Sequence, residues 1–95
     1  MKFAVHCIDH EGKVADRVAY YEAHKSYLSQ GPVATVISGP LLAEDNETMI
    51  GSLFVFEAED LETVRRYNAA DPFNKAGIWK TISIHPFLLR VDNRS

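Results

Sequence analysis

The chain contains a single cysteine, Cys7, so no internal disulfide holds it together, and a lone thiol fits a reducing compartment. Its apolar runs are short. Leu53-Phe54-Val55-Phe56 falls far below the roughly 20 residues of a membrane-spanning helix, and Met1-Lys2-Phe3-Ala4-Val5-His6 lacks the unbroken apolar stretch of a secretory leader, so a cytoplasmic location with no membrane association is expected. Basic charge is scarce: Lys and Arg total 10 against 13 Asp and Glu, the net charge is -3, and the cations are scattered. Such a surface generates no field to gather polyanions, which excludes nucleic acid as an expected partner. No glycine-rich phosphate loop or nucleophile elbow is present. The histidines His6, His10 and His85 show neither the helical i, i+4 pairing nor the Cys and His spacing of a metal site, so neither metal nor cofactor is expected.

What is present is 95 residues with 46% hydrophobic content, enough for one domain over residues 1–95 but not for two cores. A chain this short leaves much apolar surface exposed, and a homodimer is the natural way to cover it. Residues 2–9 read as a strand, followed by a His10-Glu11-Gly12 turn. Val14, Val18, Tyr21 and Leu28 then recur with helical period and form the expected buried stripe, with Arg17, Tyr20, His24 and Tyr27 on a polar, aromatic flank. Gly31-Pro32 stops this helix.

Val33 to Leu42 reads as a second strand, broken locally at Gly39-Pro40, and Met49 to Glu57 as a third that pairs with it in a hairpin. Asp60 caps a second helix whose buried side is Leu61, Val64 and Tyr67. Asp71-Pro72 begins a short helical turn through about Gly77. Trp79 to Val91 is the last strand, interrupted at His85-Pro86, and Asp92 to Ser95 is a polar tail. The order strand, helix, strand, strand, helix, strand specifies an α+β fold of ferredoxin-like βαββαβ type, a four-stranded antiparallel sheet with both helices on one face. The third strand alternates little, so both its faces call for burial, and a second copy packed sheet on sheet would cover the outer one.

Four segments, Ala23-His24, Ser38-Gly39-Pro40-Leu41, Asp71-Pro72-Phe73 and Ile84-His85-Pro86-Phe87, in this order and spacing resemble the YCII-related domain family over most of the chain. The resemblance implies dimers of ferredoxin-like subunits akin to dimeric α/β barrels. It also implies an enzymatic role for a histidine and an aspartate, which correspond here to His24 and Asp71. One branch of the family resembles a dehydrochlorinase of chlorinated hydroxyhydroquinones in aromatic catabolism.

Each residue also has a plainer reading. His24 suits a general base or acid, or a hydrogen-bonded core histidine. Asp71 suits the orienting partner of that imidazole, or a helix cap, and its oxygens have lone pairs enough for both. Ser38, Gly39 and Pro40 read as a bulge that lines a substrate pocket, or as a strand irregularity alone. Phe73 is a pocket wall or ordinary packing, and Tyr20, Tyr27 and Phe73 would suit a flat phenolic ring. Cys7 reads as a buried, inert thiol, and Trp79 as core or dimer interface.

The expectation is a cofactor-independent lyase or isomerase with a His/Asp dyad, acting on a small hydroxylated aromatic or quinol-like substrate, with dehydrochlorination the activity implied by resemblance. The alternative is a dimeric module that binds a small ligand without turnover.

Overall fold

Phe3, Val5 and Cys7 of β1 (Lys2–Asp9) are fully buried while His6 among them is exposed, the two-residue period of a strand covered on one face. In the computed structural model, which describes residues 1–94, Ser95 of the expected tail lies outside the described residues. After β1 come α1 (Val14–Leu28), β2 (Ala34–Leu42), β3 (Met49–Glu57), α2 (Leu61–Ala69), α3 (Pro72–Lys75) and β4 (Trp79–Phe87). The strands form one sheet in the order β2-β3-β1-β4 with every neighbouring pair antiparallel. This is the ferredoxin-like α+β arrangement read from the sequence, with α3 as the short turn expected after Asp71.

Register decides which side chains share a face. Phe3 pairs with Phe56, Val5 with Phe54 and Cys7 with Ser52, and on this face Tyr67 of α2 meets Phe56 edge-on at 5.5 Å while His24 of α1 meets Phe54 at 5.8 Å. Both helices therefore cover the same side. The opposite face carries Ala4, His6, Leu53, Val55 and Ile37, and it is open: Leu53 is 37% and Ile37 44% exposed. The apolar run of β3 thus divides, with Phe54 and Phe56 in the core and Leu53 and Val55 on the uncovered side.

The α2 helix follows the sequence reading. The Asp60 carboxylate accepts the Thr63 N–H at 2.8 Å, and Val64 and Tyr67 are buried with Leu61 packed beside them. Tyr27 and Tyr67 stack at 4.6 Å, each hydroxyl donating to the other's backbone carbonyl, and this reciprocal clasp ties α1 to α2. Tyr27 is thereby committed to structure.

Three expectations need correction. The apolar stripe of α1 is not its buried side: Val14, Val18 and Tyr21 are exposed, whereas Arg17 and His24 are buried. Polar heads can be buried when they are paired, and both of these are. In β2 the chain runs straight through Gly39-Pro40, with Gly39 opposite Leu53 and Pro40 opposite Ser52, and the register shifts fall instead at Thr35/Ile37 and Leu41/Leu42. Pro40 is tolerated because β2 is an edge strand whose outer side has no ladder bond to lose. Pro86 sits in β4, the other edge, without interrupting it, and β4 ends at Phe87 rather than Val91.

Candidate functional site

Arg17 and His24 lie seven residues apart on α1, two helical turns along one face, and that spacing aims both at the covered side of the sheet. Arg17 is met by Asp9 at the end of β1: its Nε donates to Oδ2 at 2.6 Å and its Nη2 to Oδ1 at 2.9 Å, a bidentate pair with both side chains almost fully buried. Nη2 also donates to the Ser52 hydroxyl at 2.8 Å. His24 is met by Asp71, 47 residues later, whose oxygens lie 2.8 and 2.9 Å from Nδ1.

Asp71 also caps α3. Its Oδ1 accepts the Phe73 N–H at 2.8 Å, with Pro72 at the first helical position. The cap and the imidazole partner are therefore one carboxylate, and both of its oxygens face the ring. A carboxylate only accepts, so Nδ1 carries the proton and the neutral ring keeps its lone pair on Nε2. Nε2 has no partner among the described residues and is not among their sealed, unsatisfied atoms, so it is the ring nitrogen open to solvent space.

That space is a cleft of about 550 Å³ between α1 and the β2-β3 edge, within the range of small-ligand sites. Arg17 and His24 lie in its wall with Phe73, Ser52 and Phe54, and Ser38, Gly39 and Pro40 form the β2 side. The structure thus gathers His24, Ser38, Gly39, Pro40 and Phe73 of the expected site residues around one cleft. Asp71 stands behind His24, outside the wall. Phe73 is both packing and wall: it is 2% exposed, and the imidazole stacks on it at 4.0 Å with 5° between the planes. Of the stripe expected to be buried, Val18 and Tyr21 are exposed and line the cleft, whereas Leu28 lines it and also packs against the core as expected. Tyr20 and Tyr27, expected beside a ligand ring, do not line it; Tyr21 occupies that place.

Arg17, Ser52 and Asp9 are the site residues that sequence reasoning passed over. The signal for Arg17 was its seven-residue offset from His24, and for Ser52 its inward phase in an otherwise apolar strand. The Arg17 guanidinium also lies over the Phe73 ring, 5.1 Å from its centre, which favours the cation. Cys7 is sealed beneath the cleft, where burial pushes its thiol up to about 12 despite a hydrogen bond with Asn68. Among the described residues no group of three or more His, Cys, Asp or Glu is placed to hold a metal ion, and no helix is long and apolar enough to cross a membrane.

Comparison with known proteins agrees with this fold. A solved structure, 5-chloro-2-hydroxyhydroquinone dehydrochlorinase from Burkholderia phenoliruptrix AC1100 in complex with 2,5-dihydroxybenzoquinone, is similar with a TM-score of 0.79 and 28% identity over 93% of this chain and 94% of that one. A NIPSNAP domain protein from Burkholderia xenovorans shares the fold at a TM-score of 0.52 with 16% identity, over 100% of this chain and 99% of that one. Protein YciI of Escherichia coli O6:H1 and that of Shigella flexneri are each 27% identical over 96 residues, spanning 92% of this chain and 96% of theirs. The profile of the YCII-related domain matches residues 1–88, and the chain belongs to that family.

Proposed function

We propose that the chain is a small cofactor-independent enzyme, a lyase or isomerase, in which His24 moves a proton and Asp71 holds its ring. The observation that carries this is the fixed imidazole: Nδ1 is anchored by a buried carboxylate while Nε2 opens into a cleft of about 550 Å³. A base held in one tautomer at the wall of an apolar pocket is the arrangement that proton transfer requires. The dehydrochlorinase with a dihydroxybenzoquinone in its complex supports a hydroxylated aromatic or quinol as substrate class.

Chloride elimination from a chlorinated hydroquinol fits one mobile proton site. A ring hydroxyl gives its proton to Nε2, the oxygen's electron pair becomes a carbonyl, and the proton returns to the chlorine-bearing carbon. Loss of a second hydroxyl proton then drives the C–Cl pair out as chloride. The balance is loss of HCl with conversion of the quinol to a quinone, so no external oxidant enters. Ser38 and Pro40 position the ring from the β2 side.

The test is chloride release and ring absorbance with chlorinated and unchlorinated hydroxyquinols, comparing wild type with His24→Gln. A loss of about 10²–10⁴-fold in rate is expected. Binding without turnover in the wild type would assign the cleft to a ligand-binding module instead, and turnover unchanged in His24→Gln would move the chemistry elsewhere.

The open sheet face supports a homodimer as the working form. Leu53, Ile37 and Phe87 lie on it and are 37%, 44% and 41% exposed.

A further inference from the structure

The period of apolar residues along α1 calls for burial of Val14, Val18 and Tyr21, yet the fold leaves all three exposed. Val18 and Tyr21, 67% and 50% exposed, form the outer part of the α1 wall of the cleft, while Arg17 and His24 are buried at its depth. They lie about 9 and 5 Å from His24 along the helix axis, toward its start. In the other direction Lys25 and Ser29 make the same wall polar. The apolar lip therefore runs one way from the imidazole.

The facing wall carries a matching feature. Ser52 and Phe54 of β3 are buried toward the helices, and unbroken alternation would turn Ile50 the same way. The register instead passes from Leu41 opposite Gly51 to Leu42 opposite Met49, so β3 has one extra residue there. A bulge of this kind re-aims the side chains beyond it. Met49 accordingly lines the cleft, beyond Pro40 on the hairpin, whereas Ile50 does not and is exposed. Methionine is unbranched and polarizable, which suits it to an apolar guest of irregular shape.

A bare ring seated at depth against His24 leaves this lip uncovered. We propose that the ligand of the cleft carries an apolar substituent, an alkyl or aryl group on its hydroxylated ring, and that Val18, Tyr21 and Met49 determine specificity by enclosing that group. This rests on the cleft reading above and adds the substituent and its direction. The chemistry at His24 is untouched, because such a group leaves the ring oxygens free. Removal of apolar surface from water on both partners drives the fit.

Calorimetric titration under nitrogen with hydroquinone and with methyl-, propyl- and pentylhydroquinone tests this without turnover. In the wild type the affinity should rise with the chain, by up to about fourfold for each methylene that leaves water. Val18→Ser combined with Tyr21→Ser should lower the ratio of pentyl to unsubstituted affinity at least about tenfold on the same basis, and Met49→Gln should lower it less. Both α1 positions are exposed, so the double variant keeps its fold whatever Met49→Gln does. Val14→Ser, on the same stripe but outside the cleft, should leave the ratio as in the wild type.

An affinity independent of chain length in the wild type, a rise undiminished in the α1 double variant, or an equal loss in Val14→Ser would overturn the assignment. So would a flat series in the wild type with a double variant that changes oligomeric state in light scattering, which would give the stripe to a second copy. These outcomes are separable from the proposed reaction. A chain-length preference in a protein that releases no chloride leaves the lip standing and removes the enzyme, and turnover of the bare ring by a protein without that preference does the reverse.

Discussion

Asp71 receives His24 Nδ1 at 2.8 and 2.9 Å and, through the same Oδ1, the backbone N–H of Phe73 at 2.8 Å. One buried carboxylate thus starts α3, fixes the imidazole and, through Phe73, places the ring on which that imidazole stacks. Local helix chemistry and site geometry share a single residue here, which lets substitution separate them.

Asp71→Asn keeps an oxygen for the cap but replaces a two-oxygen anion facing Nδ1 with a neutral amide. Stability should fall by about 1 kcal/mol or less, since Asn is as good a cap as Asp, while the proposed activity falls at least about 100-fold, as when an orienting aspartate is lost. Asp71→Ala removes cap and partner together, and about 2–4 kcal/mol of stability should go with them. Urea midpoints set beside rates decide it. If Asp71→Asn loses stability as heavily as Asp71→Ala, the carboxylate's role is structural.

Much of this was legible in the sequence. Strand alternation, the Asp60 and Asp71 caps and the element order follow from local rules, so the fold and the place of α3 emerge from them. The buried side of α1 did not. Hydrophobic periodicity picks out Val14, Val18 and Tyr21, but the helix buries Arg17 and His24 because Asp9 and Asp71, distant in sequence, satisfy them. A burial pattern set by pairing is invisible to periodicity. Gly39-Pro40 misled for a related reason, since its tolerance depends on β2 being an edge, a property of the assembled sheet.

Gly51 is demanded by space. A Cβ there would stand 2.3 Å from the Cys7 carbonyl oxygen, backbone against backbone, with Leu41 at 3.1 Å. Because β1 and β3 are the two central strands, neither can move aside cheaply. Gly51→Ala should destabilise by about 1–3 kcal/mol, whereas Gly39→Ala, where a Cβ meets nothing within 4 Å, should shift the urea midpoint little. Equal midpoints for the two variants would contradict the packing at Gly51.

Cys7 and Tyr67 make the fold sensitive to alkali. Burial pushes the thiol from 9.0 to about 12 and the Tyr67 phenol from 10.0 to about 12. The folded state thus holds protons that the unfolded chain releases, and the stability tied to them is complete below about pH 9 and lost as pH rises toward about 12. The thiol sets the onset because its unfolded value is the lower. Cys7→Ala should therefore lose less stability than the wild type between about pH 8 and about pH 10, whatever its offset at neutral pH. Parallel declines in urea midpoint would place the titrating group elsewhere.

The open sheet face sets the last expectation. Ile37, Val55 and Ala4 form one row across it in register, with Leu53 two residues before Val55 on the same face of β3, an apolar centre of the kind that stable interfaces bury. A homodimer formed there should cover at least about 1,000 Å² and run as a dimer in light scattering at micromolar concentration. Leu53→Glu places a carboxylate at that centre, and two copies would bring the charges together in a desolvated seam, which costs several kcal/mol. The helices cover the other face, so the variant should keep its fold by circular dichroism while the dimer dissociates. A wild type that is monomeric throughout, or a dimer indifferent to Leu53→Glu, would show that this face is not the interface.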